Sequence, residues 1–338
     1  MSAFEDQIVG GLLGERHPRQ QHENHEFHLA MIYCGPVMRN LTRRTFFGTA
    51  LVAVAAPRRG YLVDSTHLFA ADQERFPYHR NATYRPPPKT VEAYSKFARE
   101  AGIAHTVIIH SEVYQDDHRY LHYAFEHEPS PGFFKATCLF DPIDPKTPER
   151  IEQLVRSLPG RIVAIRIHEF HRAGTPPTTT GPMRDRDLRS EGMKNTWRKM
   201  HELGLGIEMQ SIPCYASQVR ALALQFPRMP VQIDHFGLPA WGDASQYEEV
   251  IALAKLPRVY MRVEGLAEPA WYGNAAGLAR RVYDAFGPDR LIWENYGASV
   301  ERCRQSLALI DEIFSFASEE DRGKIRGLNA MKLFGFPL

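Results

Sequence analysis

The chain has 338 residues, 43 % apolar and 24 % charged, and its 41 basic and 40 acidic side chains leave a formal net charge of +1. That length and balance suit one large or two ordinary soluble domains, with a core that needs no staples. They argue against a nucleic-acid binder, which would carry a basic stripe, and no run of about 20 apolar residues is present to span a membrane.

The N-terminal part reads as something other than fold. Residues 1–37 are polar and aperiodic and carry His17, His22, His25 and His28. Thr42-Arg43-Arg44-Thr45-Phe46-Phe47 then precedes a short apolar run ending in Val54-Ala55-Ala56. A twin arginine, an aromatic pair and a small-residue end resemble a twin-arginine export signal, with Met31 or Met38 as alternative starts. A periplasmic or exported location is therefore expected, with the cytoplasm as the alternative. Residues 1–57 are set apart as tail and signal, and the fold is sought in residues 58–338.

From residue 60 onward, short β-like runs alternate with amphipathic stretches. Tyr61-Leu62-Val63 predicts the first strand, and residues 90–101 a helix with Val91, Tyr94, Phe97 and Ala98 on one face. Residues 106–109, 134–139, 162–167, 205–210, 231–234, 259–263 and 290–293 predict seven more strands. Helical patterns near 121–125, 147–157, 190–203, 215–226, 244–254 and 275–286 separate them, and further helices follow the last strand. A polar Pro/Thr/Gly loop spans 172–183, a kind of insertion that often covers a site. Eight β-then-α units in one domain predict a (β/α)₈ TIM-type barrel, an α/β fold with a parallel sheet. The four cysteines, Cys34, Cys138, Cys214 and Cys303, form no close pair, so neither a zinc ribbon nor a disulfide scaffold is expected.

In such a barrel, chemistry gathers where the strands end. The first strand is followed by Asp64-Ser65-Thr66-His67, and the second by His110-Ser111-Glu112-Val113-Tyr114. Arg166, His168 and Glu169 lie at the fourth, and Glu208 and Gln210 at the fifth. Asp234-His235-Phe236-Gly237 closes the sixth, Arg262 and Glu264 the seventh, and Glu294-Asn295-Tyr296 the eighth. Arg166, flanked by β-branched residues, is expected to point into the mouth. There it needs an anionic partner, either a substrate carboxylate or an internal acid.

These segments resemble the amidohydrolase superfamily, in the amidohydrolase-related branch of lactonase-like hydrolases. The likeness rests on Val63-Asp64-Ser65-Thr66-His67, Phe76-Pro77-Tyr78, Tyr84-Arg85-Pro86-Pro87, Ile233-Asp234-His235-Phe236-Gly237-Leu238-Pro239, Arg290-Leu291-Ile292-Trp293 and Asn329-Ala330. It covers residues 60–337 and implies hydrolysis of cyclic esters or amides, with some decarboxylases. Two motifs depart from the family pattern. His-x-His is reduced to His67, with Ser65 or Thr66 in the other place, and Gly-Ser-Asp after the eighth strand is replaced by Glu294-Asn295-Tyr296. Because an amide takes up no proton near neutrality, base function would move to His67, His235, Glu264 or Glu294.

The reading is a hydrolase of a lactone or related carboxylated substrate. His67, His235, Glu264 and Glu294 are its catalytic candidates. Arg166, His168, Tyr114, Gln210, Asn295 and Tyr296 are its substrate-binding candidates. The cofactor is either none or one divalent metal, zinc or manganese, with His67 and His235 as its expected ligands and Glu264 or Glu294 completing the shell. The alternatives are a metal-dependent decarboxylase on the same barrel and an inactive barrel that keeps ligand binding. A small molecule is the expected partner, nucleic acid and a membrane span are not, and a homo-oligomer is left open. Trp271-Tyr272 suits either a subunit contact or a lid.

Overall fold

A computed structural model describes residues 61–337, except 83, 171–184, 265–273 and 296–298. The tail, the export-like segment, the whole 172–183 loop, Trp271, Tyr272 and Tyr296 thus lie outside the described residues. Eight strands follow in order: β1 Leu62–Thr66, β2 Ile103–Ile108, β3 Phe134–Cys138, β4 Ile162–Glu169, β5 Gly206–Ser211, β6 Val231–Ile233, β7 Val259–Glu264 and β8 Leu291–Glu294. Each pairs in parallel with the next to make one eight-stranded sheet. The connecting helices are α1 Val91–Ala101, α2 Arg119–Glu126, α3 Thr147–Ser157, α4 Glu191–Glu202, α5 Ala216–Gln225, α6 Ala244–Ala252 and α7 Ala275–Phe286, and α8 Val300–Ile313 follows β8. With β1 and β8 meeting at a seam, this is the (β/α)₈ barrel expected from the sequence.

Local chemistry sets the helix boundaries. Thr90 caps α1 by accepting from the Ala93 N–H at 3.3 Å, and Gly102 ends it with φ at 74°. Asp243 and Gln246 form a reciprocal capping box on α6. Among the described residues, no helix is long and apolar enough to cross a membrane. The three described cysteines are free thiols.

Alternation along the strands divides the interior. Ile165, Ile167, Ile207, Met209, Met261, Val263, Leu291 and Trp293 face the helices and join the main core. Val63, Val107, Ile109 and Ile292 instead form a second cluster with Met331 and Phe334 of α9 Asn329–Phe334 and with Phe336, two residues beyond its end. His105, near the start of β2, stacks on Phe336 at 4.5 Å, and Lys135 of β3 donates to the Phe334 carbonyl at 2.6 Å. The C-terminal segment therefore plugs the barrel from the N-terminal side of its strands. The inward positions nearer the other end are polar, and the site is built there.

β1 and β4 run further than the sequence pattern suggested, to Thr66 and Glu169. Asp64 therefore lies inside a strand, where alternation decides which face it takes.

A π-helical turn, Lys324–Leu328, packs against both β1 and β8 at the seam. Asn329 fixes it by donating from Nδ2 to the Pro288 and Leu291 carbonyls at 2.7 and 2.8 Å. The approach to β1 is close enough that a Cβ on Gly327 would lie 1.5 Å from the Tyr61 carbonyl oxygen. Backbone would have to move to accept it, so Gly327→Ala is expected to cost about 3 kcal/mol, the upper end of overpacking effects. Urea denaturation measures this; a loss below about 0.5 kcal/mol would mean that the seam yields freely.

Candidate active site

Two arginines stand at the centre of the mouth, each only 1 % exposed. Arg166 of β4 pairs through Nε with Glu208 at 3.0 Å and through Nη2 with Asp234 at 2.9 Å. Arg262 of β7 pairs through Nη1 with the other Glu208 oxygen at 2.8 Å and through Nε with Glu294 at 2.9 Å. Neighbouring strands thus present opposite charges inward at the same parity, and Arg166 and Glu208 are register partners. Burial, together with repulsion from Asp234, pushes Glu208 up to about 7 despite both guanidiniums. Burial alone would raise Glu294, but Arg262 and His235 outweigh it and hold its carboxyl down at about 2.

His235 follows β6 on a strained turn. His235, Phe236 and Leu238 all have positive φ, at 53°, 55° and 53°, and Gly237 lies between them at 73°. Non-glycine residues in such regions cost about 1–3 kcal/mol each, and the surroundings must enforce them. Here the Gly237 N–H donates to the Asp234 carbonyl at 2.8 Å, and the Tyr247 hydroxyl donates to the Phe236 carbonyl at 2.7 Å. The turn aims His235 Nδ1 at Glu264 and at Glu294 Oε1, the latter 2.9 Å away. Burial opposes charge on this ring, but the two carboxylates prevail and raise its pKa well above the usual value. Its Nε2 lies 3.3 Å from the Gln210 amide.

His67, just past β1, behaves in the opposite way. Burial first, then the Arg166 and Lys89 cations, hold it well below the ordinary imidazole range. The ring is neutral, Nδ1 donates to the Ile109 carbonyl at 2.8 Å, and Nε2 faces Arg166 Nη1 at 3.5 Å. The mouth therefore holds one cationic and one neutral imidazole.

The remaining candidates separate. Arg166 has internal acidic partners, the second of the two possibilities open from the sequence. His168 lies one inward step beyond it on β4, and its Nδ1 donates to Glu112 at 2.6 Å. Tyr114 is buried with its hydroxyl accepting from the Ala70 N–H at 2.8 Å, which ties down the segment after β1. Asn295 is buried, and its backbone interacts with the Asp64 carboxyl. Asp64 itself turns away from the mouth toward α1, where the Tyr94 hydroxyl donates to it at 2.6 Å. Glu112, Glu208, Asp234 and Arg262 were noted at strand ends from the sequence but not placed among the catalytic or substrate-binding candidates. The signal for Glu208 and Arg262 was a charge at an inward position of an otherwise apolar strand, whereas Glu112 and Asp234 lie just past strand ends.

One group of three potential metal ligands occurs among the described residues: His235, Glu264 and Glu294, with ligand atoms all within 4.8 Å of one another. The group shares His235, Glu264 and Glu294 with the ligands expected from the sequence and leaves out His67. One imidazole nitrogen and two carboxylate oxygens suit a single zinc or manganese ion with a position left for water or substrate.

A family profile described as amidohydrolase matches residues 54–336. No match to the sequence is found among curated proteins. Among solved structures, a Pseudomonas putida protein assigned as a 2-pyrone-4,6-dicarboxylic acid hydrolase is 20 % identical, with a TM-score of 0.65 over 82 % of this chain and 99 % of its own. A Burkholderia multivorans amidohydrolase with bound zinc is 15 % identical, with a TM-score of 0.62 over 82 % of this chain and 100 % of its own. A 2,6-dihydroxybenzoate decarboxylase from Rhizobium is 12 % identical, with a TM-score of 0.55 over 81 % and 98 %. At these identities the likeness is one of fold.

Two outcomes follow from the electrostatics. Arg262→Met would strand Glu208 and Glu294 in the interior and is expected to cost about 3–5 kcal/mol. Pairing it with Glu208→Gln should recover part of that loss, and strict additivity in urea denaturation would show that the two groups are uncoupled. Asp64 is the pH-sensitive case, because burial raises its pKa to about 6. An acid raised on folding stabilises fully below its unfolded value near 4, and that contribution is lost as pH rises through about 6. Between pH 4 and 7 the wild type should lose about 3 kcal/mol relative to Asp64→Asn; parallel pH profiles would exclude this assignment.

Proposed function

The chain belongs to the amidohydrolase family, and we propose that it hydrolyses a small cyclic ester, a lactone or a related carboxylated compound, at the mouth of its barrel. The observation that carries this reading is His235, held by Glu264 and Glu294 on a strained turn across from a neutral His67. A protonated His235 is suited to donate to a carbonyl oxygen as negative charge develops there. His67 does not share that task, since its one N–H is committed to Ile109 and its neutral Nε2 faces the Arg166 guanidinium. Glu264, nearer the opening than Glu294, is placed to take a proton from an attacking water. Gln210 orients the His235 ring.

His235, Glu264 and Glu294 would also hold a divalent metal. When bound, such an ion supplies Lewis-acid polarisation of a carbonyl and lowers the pKa of a coordinated water. Arg262 would steady Glu294 in that role as it does in the ion-pair lattice. The carboxylated substrate class draws on the dicarboxylic acid named for the Pseudomonas putida protein. An exported enzyme is part of the same proposal, resting on residues 42–56, and recovery of a protein cleaved after Ala56 would support it.

The test is turnover of a panel of lactones, neutral and carboxylated, by the chelator-dialysed chain, with and without added zinc or manganese. Ring opening should fall at least about 100-fold in His235→Asn. Activity that returns only with one metal equivalent, and not in Glu264→Gln, would assign the metal to these three residues. Survival of activity after chelation would assign the metal-free route. Release of carbon dioxide without ring opening would replace the hydrolase with a decarboxylase, and no turnover from a folded protein would leave a binding barrel.

A further inference from the structure

The hydrolase reading leaves one buried pair unused. Glu112, in the segment after β2, and His168, near the end of β4, meet through a 2.6 Å contact between Oε1 and Nδ1, and both are buried. They line a cavity of about 140 Å³ at the C-terminal face, whose wall includes Leu139 and Phe140 and whose charged lining mixes Arg150 and Arg186 with three aspartates. Arg186 donates to the His168 carbonyl at 2.9 Å and pairs with Glu169, which fixes the end of β4.

Position ties the pair to the reaction centre. His168 is the inward residue one step beyond Arg166, and its register partner is Gln210 of β5. Gln210 in turn reaches His235. The pair and the His235–Glu264–Glu294 group therefore flank Gln210, on the β2–β4 and β6–β8 sides of the mouth. A buried ion pair seldom contributes more stability than apolar packing would, so a purely structural role explains little of its placement against a cavity.

We propose that His168, held by Glu112, is the acid that protonates the departing oxygen of the substrate, and that the adjoining cavity receives the leaving half. Nδ1 is committed to Glu112, so proton exchange runs through Nε2, and a carboxylate at Nδ1 favours the imidazolium form. Water adds to the carbonyl carbon and gives a proton to a carboxylate on the opposite side. The acyl C–O bond then breaks, its electron pair stays on the leaving oxygen, and that oxygen takes the proton from His168. Transfer of the first proton back to His168 through water restores both groups, and in a lactone the acid and the alcohol remain in one product. His168 is the catalytic residue here, and Glu112 a positioning residue that sets its tautomer and charge.

This inference rests on the hydrolase reading, and a leaving-group series separates the two. The full chain is assayed on matched esters or lactones that release either an alkoxide or a nitrophenolate, because only the alkoxide needs protonation as it departs. His168→Asn should lose at least about 100-fold in kcat on alkoxide substrates and less than about threefold on nitrophenolate ones. Glu112→Gln should follow the same trend more weakly, and it serves as the second variant if His168→Asn does not fold to the wild-type thermal midpoint. Equal loss on both series would assign His168 a structural part and overturn the proposal, as would unchanged activity on both. A wild type that hydrolyses neither series would remove the hydrolase reading and this inference with it.

Discussion

The rest of the site depends on two guanidinium groups that the barrel interior cannot solvate. Arg166 and Arg262 must be neutralised by protein, and Glu208, Asp234 and Glu294 are arranged around them to do so. Glu208 bridges both arginines, so β4, β5 and β7 are tied through one carboxylate. Glu294 carries the constraint outward, since one oxygen takes Arg262 and the other faces His235. A side chain held from two directions has little rotamer freedom left, and that rigidity is what a reaction centre needs.

The lattice also divides labour between two histidines. His67 sits beside positive charge and stays neutral, whereas His235 sits beside negative charge and stays protonated. The left-handed turn at 235–238 is the backbone counterpart of this arrangement. Its conformational cost is met by Tyr247, by the carbonyl of Asp234 and by packing of Val250 against Gly237, where any Cβ would come within 2.5 Å of a valine methyl.

Much of the fold was legible in the chain. Eight short β-branched runs separated by amphipathic stretches admit few architectures other than a barrel, and all eight strands appear at the expected places. Strand ends were less legible. β1 and β4 each extend beyond the periodic pattern because the added residues, Asp64 to Thr66 and His168 to Glu169, are polar ones that a hydrophobic pattern treats as loop. That shift matters at Asp64: it looked like a neighbour of His67 in the mouth, yet strand alternation turns it to Tyr94 on α1.

The sequence by itself determined the architecture and which residue types crowd the strand ends, because periodicity and composition are local properties. It also put forward His67, His235, Glu264 and Glu294 as candidates. Which of these meet was decided only by the tertiary structure. His235, Glu264 and Glu294 come from three successive strand ends 59 residues apart at the extremes, and only barrel curvature brings their ligand atoms within 4.8 Å. The pairing of Arg166 with Glu208 and Asp234, and of His168 with Glu112, likewise depends on strand register and on which side chains point inward. A linear pattern carries a residue's charge but not the direction from which its partner arrives.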